Sequence, residues 1–290
     1  MDISSYSGSE FDYEFKALPT LANEKDVEAY CQSTRAKCAA VAQSFDDDLN
    51  TEWIVRNYLA IKFIHASSIT LGTAIYGEKK NILVTLPYST YYSLLYCCRA
   101  FLFTVPDFKW EGINSIERTH SSILNLTESY LRRLNSKLAA QWGAVLKNAQ
   151  SQRELYSYRF PTTGLAFIEK YAIRLDDAIE LCQLLSDLAQ LNSDCLESAL
   201  RKHSTGEFRV AQGDAIRLAM TYELDGVETE DNDDYYRIGY HIRKFSTVSN
   251  LAFMATEGLR DDYAISWSSD ERHDEDAFNP DDYMYLLLSE

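Results

Sequence analysis

Apolar side chains recur every three to four positions through most of the first 200 residues, the spacing of one face of an α-helix. Val27, Tyr30, Cys31 and Cys38 fall on such a face and predict a short helix over 25–43, after an irregular arm over 1–24. The acidic break Asp46-Asp47-Asp48 precedes a helix over 52–76, with Asn50 or Thr51 as its cap and Gly77 at its end. Pro87 suits the first turn of the next helix, over 87–104. That helix is bulky on every side and carries one charge, Arg99, so it reads as the buried centre of a bundle. Further helices are predicted over 116–134, 138–160 and 165–191, with Pro161 breaking the chain between the last two.

Beyond residue 205 the period changes. Ile216, Leu218, Met220, Tyr222 and Leu224 alternate with less apolar residues, the pattern of a half-buried strand, and Asp225-Gly226 follows as a turn. Tyr236, Ile238, Tyr240 and Ile242 alternate in the same way and predict a second strand; Tyr263, Ile265 and Trp267 offer a third. The acidic run Glu228–Asp234 reads as a solvated loop between them. The expected fold class is therefore mainly α: an arm with a short helix over 1–50, an up-down helical bundle over 51–200, and a strand-containing subdomain with a β-hairpin over 205–290, α+β overall.

Charge sharpens that division. The chain of 290 residues carries a formal net charge of −16, and residues 221–290 hold 18 acidic against 5 basic side chains, leaving the first 220 close to neutral. Such a balance gives no basic footprint for nonspecific binding to nucleic acid or an anionic membrane, although a local basic groove in the near-neutral part fits it. Six cysteines form no CxxC or zinc-ligand spacing, the polar N-terminus lacks an apolar leader core, and polar residues interrupt the apolar stretches too often for a membrane span. Those features lead to the expectation of a cytoplasmic protein with reduced thiols, no metal and no cofactor.

The helix 87–104 contains Tyr91-Tyr92-Ser-Leu-Leu-Tyr-Cys-Cys-Arg99-Ala-Phe-Leu102; Thr119-His120-Ser121 and Arg153-Glu-Leu-Tyr156-Ser157-Tyr158 follow downstream. In order and spacing these three elements resemble the HEPN family (higher eukaryote and prokaryote nucleotide-binding domains), over about half of the chain. The resemblance implies a dimeric helical module that binds RNA or a nucleotide in a prokaryotic toxin–antitoxin, stress or phage-defence setting. Ribonuclease members carry Arg-x(4–6)-His, and here Tyr158 stands where that histidine would be. A phenol with an ordinary pKa near 10 is a poor general base at neutral pH. Any enzyme activity would be a metal-independent ribonuclease with a departed motif.

Arg99, His120, Arg153 and Tyr158 are the candidate ligand-binding residues; no catalytic residue is assigned. Each has a plainer role too: an ion pair within the bundle for the arginines, a hydrogen-bonded core position for His120, a helix end for Tyr158. Arg99 shares the face of Tyr92, Leu95 and Leu102, so it is placed to meet Arg153 across the bundle, where two guanidiniums call for an anion between them. Arg237 and His241 form a weaker pair on one face of the expected second strand. The carboxylate runs at 231–234 and 270–276 read as solvated acidic segments. A second reading makes the chain a non-catalytic dimerising scaffold whose acidic C-terminal part docks a basic partner such as a nucleotidyltransferase or effector. A third, resting on charge alone, is a DNA mimic.

Overall fold

The computed structural model describes residues 2–10, 13–204, 206–211, 214–268 and 276–288, with the side chains of Leu165, Tyr171 and Asp214 left out. It is mainly helical, with one small antiparallel hairpin. The helices are α1 (Ile3–Ser7), α2 (Leu18–Leu21), α3 (Glu24–Gln43), α4 (Asp47–Lys79), α5 (Leu86–Thr104), α6 (Ile113–Ile116), α7 (His120–Leu131), α8 (Ser136–Tyr158), α9 (Leu165–Tyr171), α10 (Leu175–His203), α11 (Asp214–Leu218), α12 (Asn232–Lys244), α13 (Leu251–Met254) and α14 (Glu257–Ile265). The hairpin pairs β1 (Thr221–Leu224) with β2 (Val227–Glu230).

Helix α5 is the centre expected of it. It packs between α4 and α10, with α7 and α8 against its remaining side. Leu94, Leu95, Cys97, Cys98, Phe101, Leu102 and Phe103 are all buried. Pro87 sits in its first turn, where a missing N–H costs nothing. Helix α4 begins earlier than expected, capped by the Asp46 carboxylate accepting from Leu49 N–H at 2.8 Å, and continues past Gly77 to Lys79. By length and composition α4 is also apolar enough to cross a membrane, contrary to the sequence expectation, and 61% of its apolar window is buried inside the protein. The last bundle segment is two helices rather than one. Ala172 and Arg174 are extended, so the helix predicted over 165–191 is broken before Leu175.

The arm over 1–24 is ordered by a tertiary cap. Asp187 of α10 accepts backbone N–H bonds from Lys16 (3.2 Å), Ala17 (2.8 Å) and Leu18 (2.8 Å), satisfying donors at the start of α2. The C-terminal region is tied to α4 by buried polar side chains. Asn50 donates to Ser246 O at 2.7 Å and accepts from Val248 N–H at 3.0 Å, and Asn57 donates to Ser249 O at 2.9 Å. Asp234, buried, accepts from Tyr58 and Tyr222 hydroxyls at 2.5 and 2.6 Å and pairs with Lys62. Buried apolar residues form one cluster running from Ile3 to Leu288.

The hairpin forms at the expected turn with different strands. Asp225 and Gly226 both take positive φ (52° and 77°), the twist that suits a two-residue hairpin loop. β1 is the second half of the predicted first strand, whose first half is the short helix α11. β2 comes from the segment read as an acidic loop, and the predicted second strand is helix α12. Asp231 caps α12 by accepting from Asp233 and Asp234 N–H, and Asp234, Ile238 and His241 are the residues it buries. Tyr263 and Ile265 lie in α14, so no third strand forms there. Asp270, Glu271, Asp274 and Glu275, of the second acidic run, lie outside the described residues.

A candidate anion site on the central helix

Arginine is held inside this protein in two contrasting ways. Arg56 of α4 is fully satisfied: its guanidinium donates to Phe103 O and Val105 O at 2.8 Å each and to Glu52 at 3.1 Å, and it lies 3.6 Å over the Trp53 ring. It closes carbonyls at the end of α5, a structural role. Burial brings even its pKa down, to about 10, against the opposing charge of Glu52.

Arg99 has no such support. Its guanidinium lies 5.5 Å from the ring of Phe63 on α4, and among the described residues its Nε, sealed from water, has no hydrogen-bond partner and its charge no ion pair. Burial lowers its pKa, opposed only by the phenols of Tyr96 and Tyr91. Leaving a cationic donor unmatched carries a desolvation cost of about 1–3 kcal/mol. The fold has accepted that cost at a position where any long apolar side chain would pack.

Arg153 of α8 approaches from the other side. It donates to the Tyr92 hydroxyl at 3.2 Å and lies 5.3 and 5.7 Å over the rings of Tyr91 and Tyr92. Partial burial works against its charge, but the Tyr92 hydrogen bond and the neighbouring phenols outweigh it and raise the pKa. It too has no carboxylate partner among the described residues.

His120 sits beside both arginines. Thr119 caps α7, accepting from Ser122 N–H, so His120 is the first helical residue and its ring turns toward α5. Its Nδ1 shares a hydrogen bond of 2.8 Å with the Tyr91 hydroxyl. Its ring lies 6.1 Å from that of Tyr92 at 90°. Burial first, then the charges of Arg153 and Arg99, hold its pKa below the ordinary value, so the imidazole is neutral at pH 7. Burial likewise pushes the Tyr91 phenol up to about 12.

Arg99, His120 and Arg153 therefore share one patch. Tyr158 does not pack into it: at the last position of α8 it is 80% exposed, and it reaches Arg153 only through its field. The face assigned to Arg99 also needs correction. Leu95 and Leu102 are buried, whereas Arg99 lines up with Tyr88, Tyr92 and Tyr96, the half-buried stripe of α5. Their spacing of four, four and three residues is that of one helical face, but a uniformly bulky helix hides which of its sides is open. Phe63, stacked on Tyr96 at 5.8 Å, had no such signal; α4 alone does not reveal that it faces Arg99.

Arg237 and His241 stand one turn apart on α12, not on a strand. Arg237 lies by Tyr263 at 5.7 Å and His241 is buried, at a cavity separate from α5. Among the described residues no three His, Cys, Asp or Glu side chains are arranged to hold a metal. No family model, curated protein or solved structure matches this chain.

Two guanidiniums with no carboxylate partner among the described residues, flanked by phenol rings, form an arrangement chemically able to hold an anion. A guanidinium fork matches the oxygens of a phosphate or carboxylate, and Tyr92 and Tyr96 beside it are half-buried. The neutral His120 adds a hydrogen-bonding group that changes charge easily once an anion neutralises the arginines.

Proposed function

We propose that the patch formed by Tyr92, Tyr96, Arg99, His120 and Arg153 binds the phosphate of RNA or of a nucleotide, with bases stacked on the tyrosines. The observation that carries this reading is the contrast between Arg56, matched by carbonyls and Glu52, and Arg99 and Arg153, matched by no acid among the described residues. The motif resemblance supports a HEPN-like module, working as a homodimer with a partner protein in a toxin–antitoxin, stress or phage-defence system. Standard ribonuclease chemistry is not part of the proposal, because Tyr158 is an exposed phenol away from the cluster. Fluorescence anisotropy with a labelled single-stranded oligoribonucleotide at low salt tests it. Arg99→Gln and Arg153→Gln should each weaken binding about tenfold and flatten the salt dependence by roughly one unit of slope. Undiminished affinity in the double variant overturns the reading.

The excess acid of residues 221–290 favours a second reading, a scaffold that captures a basic partner. Deleting that region is the wrong test, since Asp234, Leu251 and Leu287 are built into the core. Neutralising the exposed Glu230 and Asp233, together with Glu228, whose ion pair is with the exposed Arg217, should weaken partner capture while sparing RNA binding.

A further inference from the structure

Away from α5, a cavity of about 350 Å³ lies between α12 and the start of α14, with Tyr58 and Ile61 of α4 in its lining. Its two sides carry opposite charge. Arg237 and Lys244 come from α12, and Glu257 and Asp262 come from α14. None of the four makes an ion pair among the described residues, although many other charged side chains of the protein do. Cations and carboxylates thus border the same space without meeting across it.

The rest of the lining is aromatic and apolar. Tyr236 and Tyr240, one turn apart on α12, are 62% and 45% exposed at the rim, and Phe245 and Met254 continue the surface inward. His241 is 6% exposed on the same lining, and its Nε2 has no hydrogen-bond partner. Burial, with Lys244 nearby, lowers its pKa to about 4, so the imidazole brings no charge of its own.

Each simple ligand class leaves part of this cavity unmatched. An anion would satisfy Arg237 and Lys244 but face two carboxylates. A cation would do the reverse, and a neutral apolar body would use none of the four charged groups, three of which, Lys244, Glu257 and Asp262, stand exposed at the rim. The volume, at the lower end of small-molecule pockets, suits a ligand of one or two fused rings and not a polymer.

We propose that this cavity binds a small aromatic zwitterion of the aromatic amino-acid type. Its flat body rests on Tyr240, Phe245 and Met254, its carboxylate is held by Arg237 and Lys244, and its ammonium by Glu257 and Asp262. The site is independent of the α5 patch, so RNA binding by α5 can fail without affecting it.

Isothermal titration calorimetry on the full chain tests the proposal with L-tryptophan, tryptamine (no carboxylate), indole-3-propionate (no amine) and adenosine monophosphate. L-Tryptophan should bind, and the two truncated probes should bind about tenfold or more weakly, since each leaves one pair of charges unmatched. Glu257→Gln, at an exposed position, should weaken L-tryptophan binding and leave indole-3-propionate binding unchanged or tighter. Arg237→Gln should weaken L-tryptophan binding and spare tryptamine. A thermal melt checks that both variants remain folded; where Arg237→Gln does not, Lys244→Gln takes its place. No saturable heat with L-tryptophan at millimolar concentration, equal binding of all three indoles, or binding of adenosine monophosphate alone would each overturn the assignment.

Discussion

Replacing Arg99 by methionine should stabilise the protein while disabling its proposed site. Methionine keeps the length and flexibility of the arginine stem and places a sulfur against Phe63, an aromatic contact that is itself favourable. The substitution removes a buried Nε that has no partner, relieving about 1–3 kcal/mol of desolvation. It forfeits the cation–ring attraction, worth about 0.5–1 kcal/mol at a half-exposed position. The expected balance is a gain of about 0–2.5 kcal/mol, centred near 1, with an upward Tm shift on the order of 2–4 °C per kcal/mol. Denaturant unfolding followed by circular dichroism measures the gain, and anisotropy with the labelled oligoribonucleotide measures the lost binding. Arg56→Met is the internal control. It strands Phe103 O, Val105 O and Glu52 and should cost about 3–5 kcal/mol. Inorganic pyrophosphate should raise the Tm of the wild type, by mass action, and leave that of Arg99→Met unmoved. A loss of stability in Arg99→Met comparable to that in Arg56→Met would refute the reasoning, for Arg99 would then be a structural cation like its neighbour.

Three further outcomes follow from buried groups elsewhere. Asp187→Ala removes the acceptor of three backbone N–H bonds and should cost about 2–4 kcal/mol, with limited proteolysis moving into residues 13–22 before global unfolding. Asp194 is buried, with Oδ2 unpartnered, and burial, reinforced by Glu197, raises its pKa to about 8. A raised carboxylate contributes its stability below the unfolded value near 4 and loses it as pH rises through about 8. Asp194→Asn should therefore match the wild type near pH 4 and exceed it at pH 8 by a few kcal/mol, below the ceiling of roughly 5 set by a four-unit shift; unfolding curves across that range would contradict this if the gap failed to widen. A Cβ at Gly72 of α4 would overlap the base of the Tyr283 ring, so Gly72→Ala should displace the C-terminal turn and cost about 1–3 kcal/mol. Faster amide exchange at Met284–Leu288, which holds Met284, Leu287 and Leu288 buried, is the readout.

The sites were legible unequally for a physical reason. Arg99 and Arg153 stood out because a cation within an apolar helical pattern must face either a partner or an opening, and the helical period fixes which neighbours share its side. Tyr158 failed as a candidate because α8 ends at that residue, and no periodicity reveals where a terminal side chain turns. Residues 232–244 misled because Tyr236, Ile238, Tyr240 and Ile242 satisfy a two-residue period while Asp234, Ile238 and His241 satisfy a helical one. The capping Asp231, the acids in the first turn and the basic residues in the last were the overlooked clue, since they complement a helix dipole.

The chain by itself determined the approximate course of α3, α4, α5 and α8 and that α5 is central, along with the Asp225-Gly226 turn. These follow from local sterics, caps and the 3.6-residue recurrence of apolar side chains, all readable within a few turns. Only the tertiary structure decided that α5 opens along Tyr88, Tyr92, Tyr96 and Arg99, that Asp187 caps a helix some 170 residues earlier, and that α12 and α14 face each other across a cavity. Those outcomes depend on which helix covers which face, and the energy that selects the arrangement comes from burying whole surfaces together.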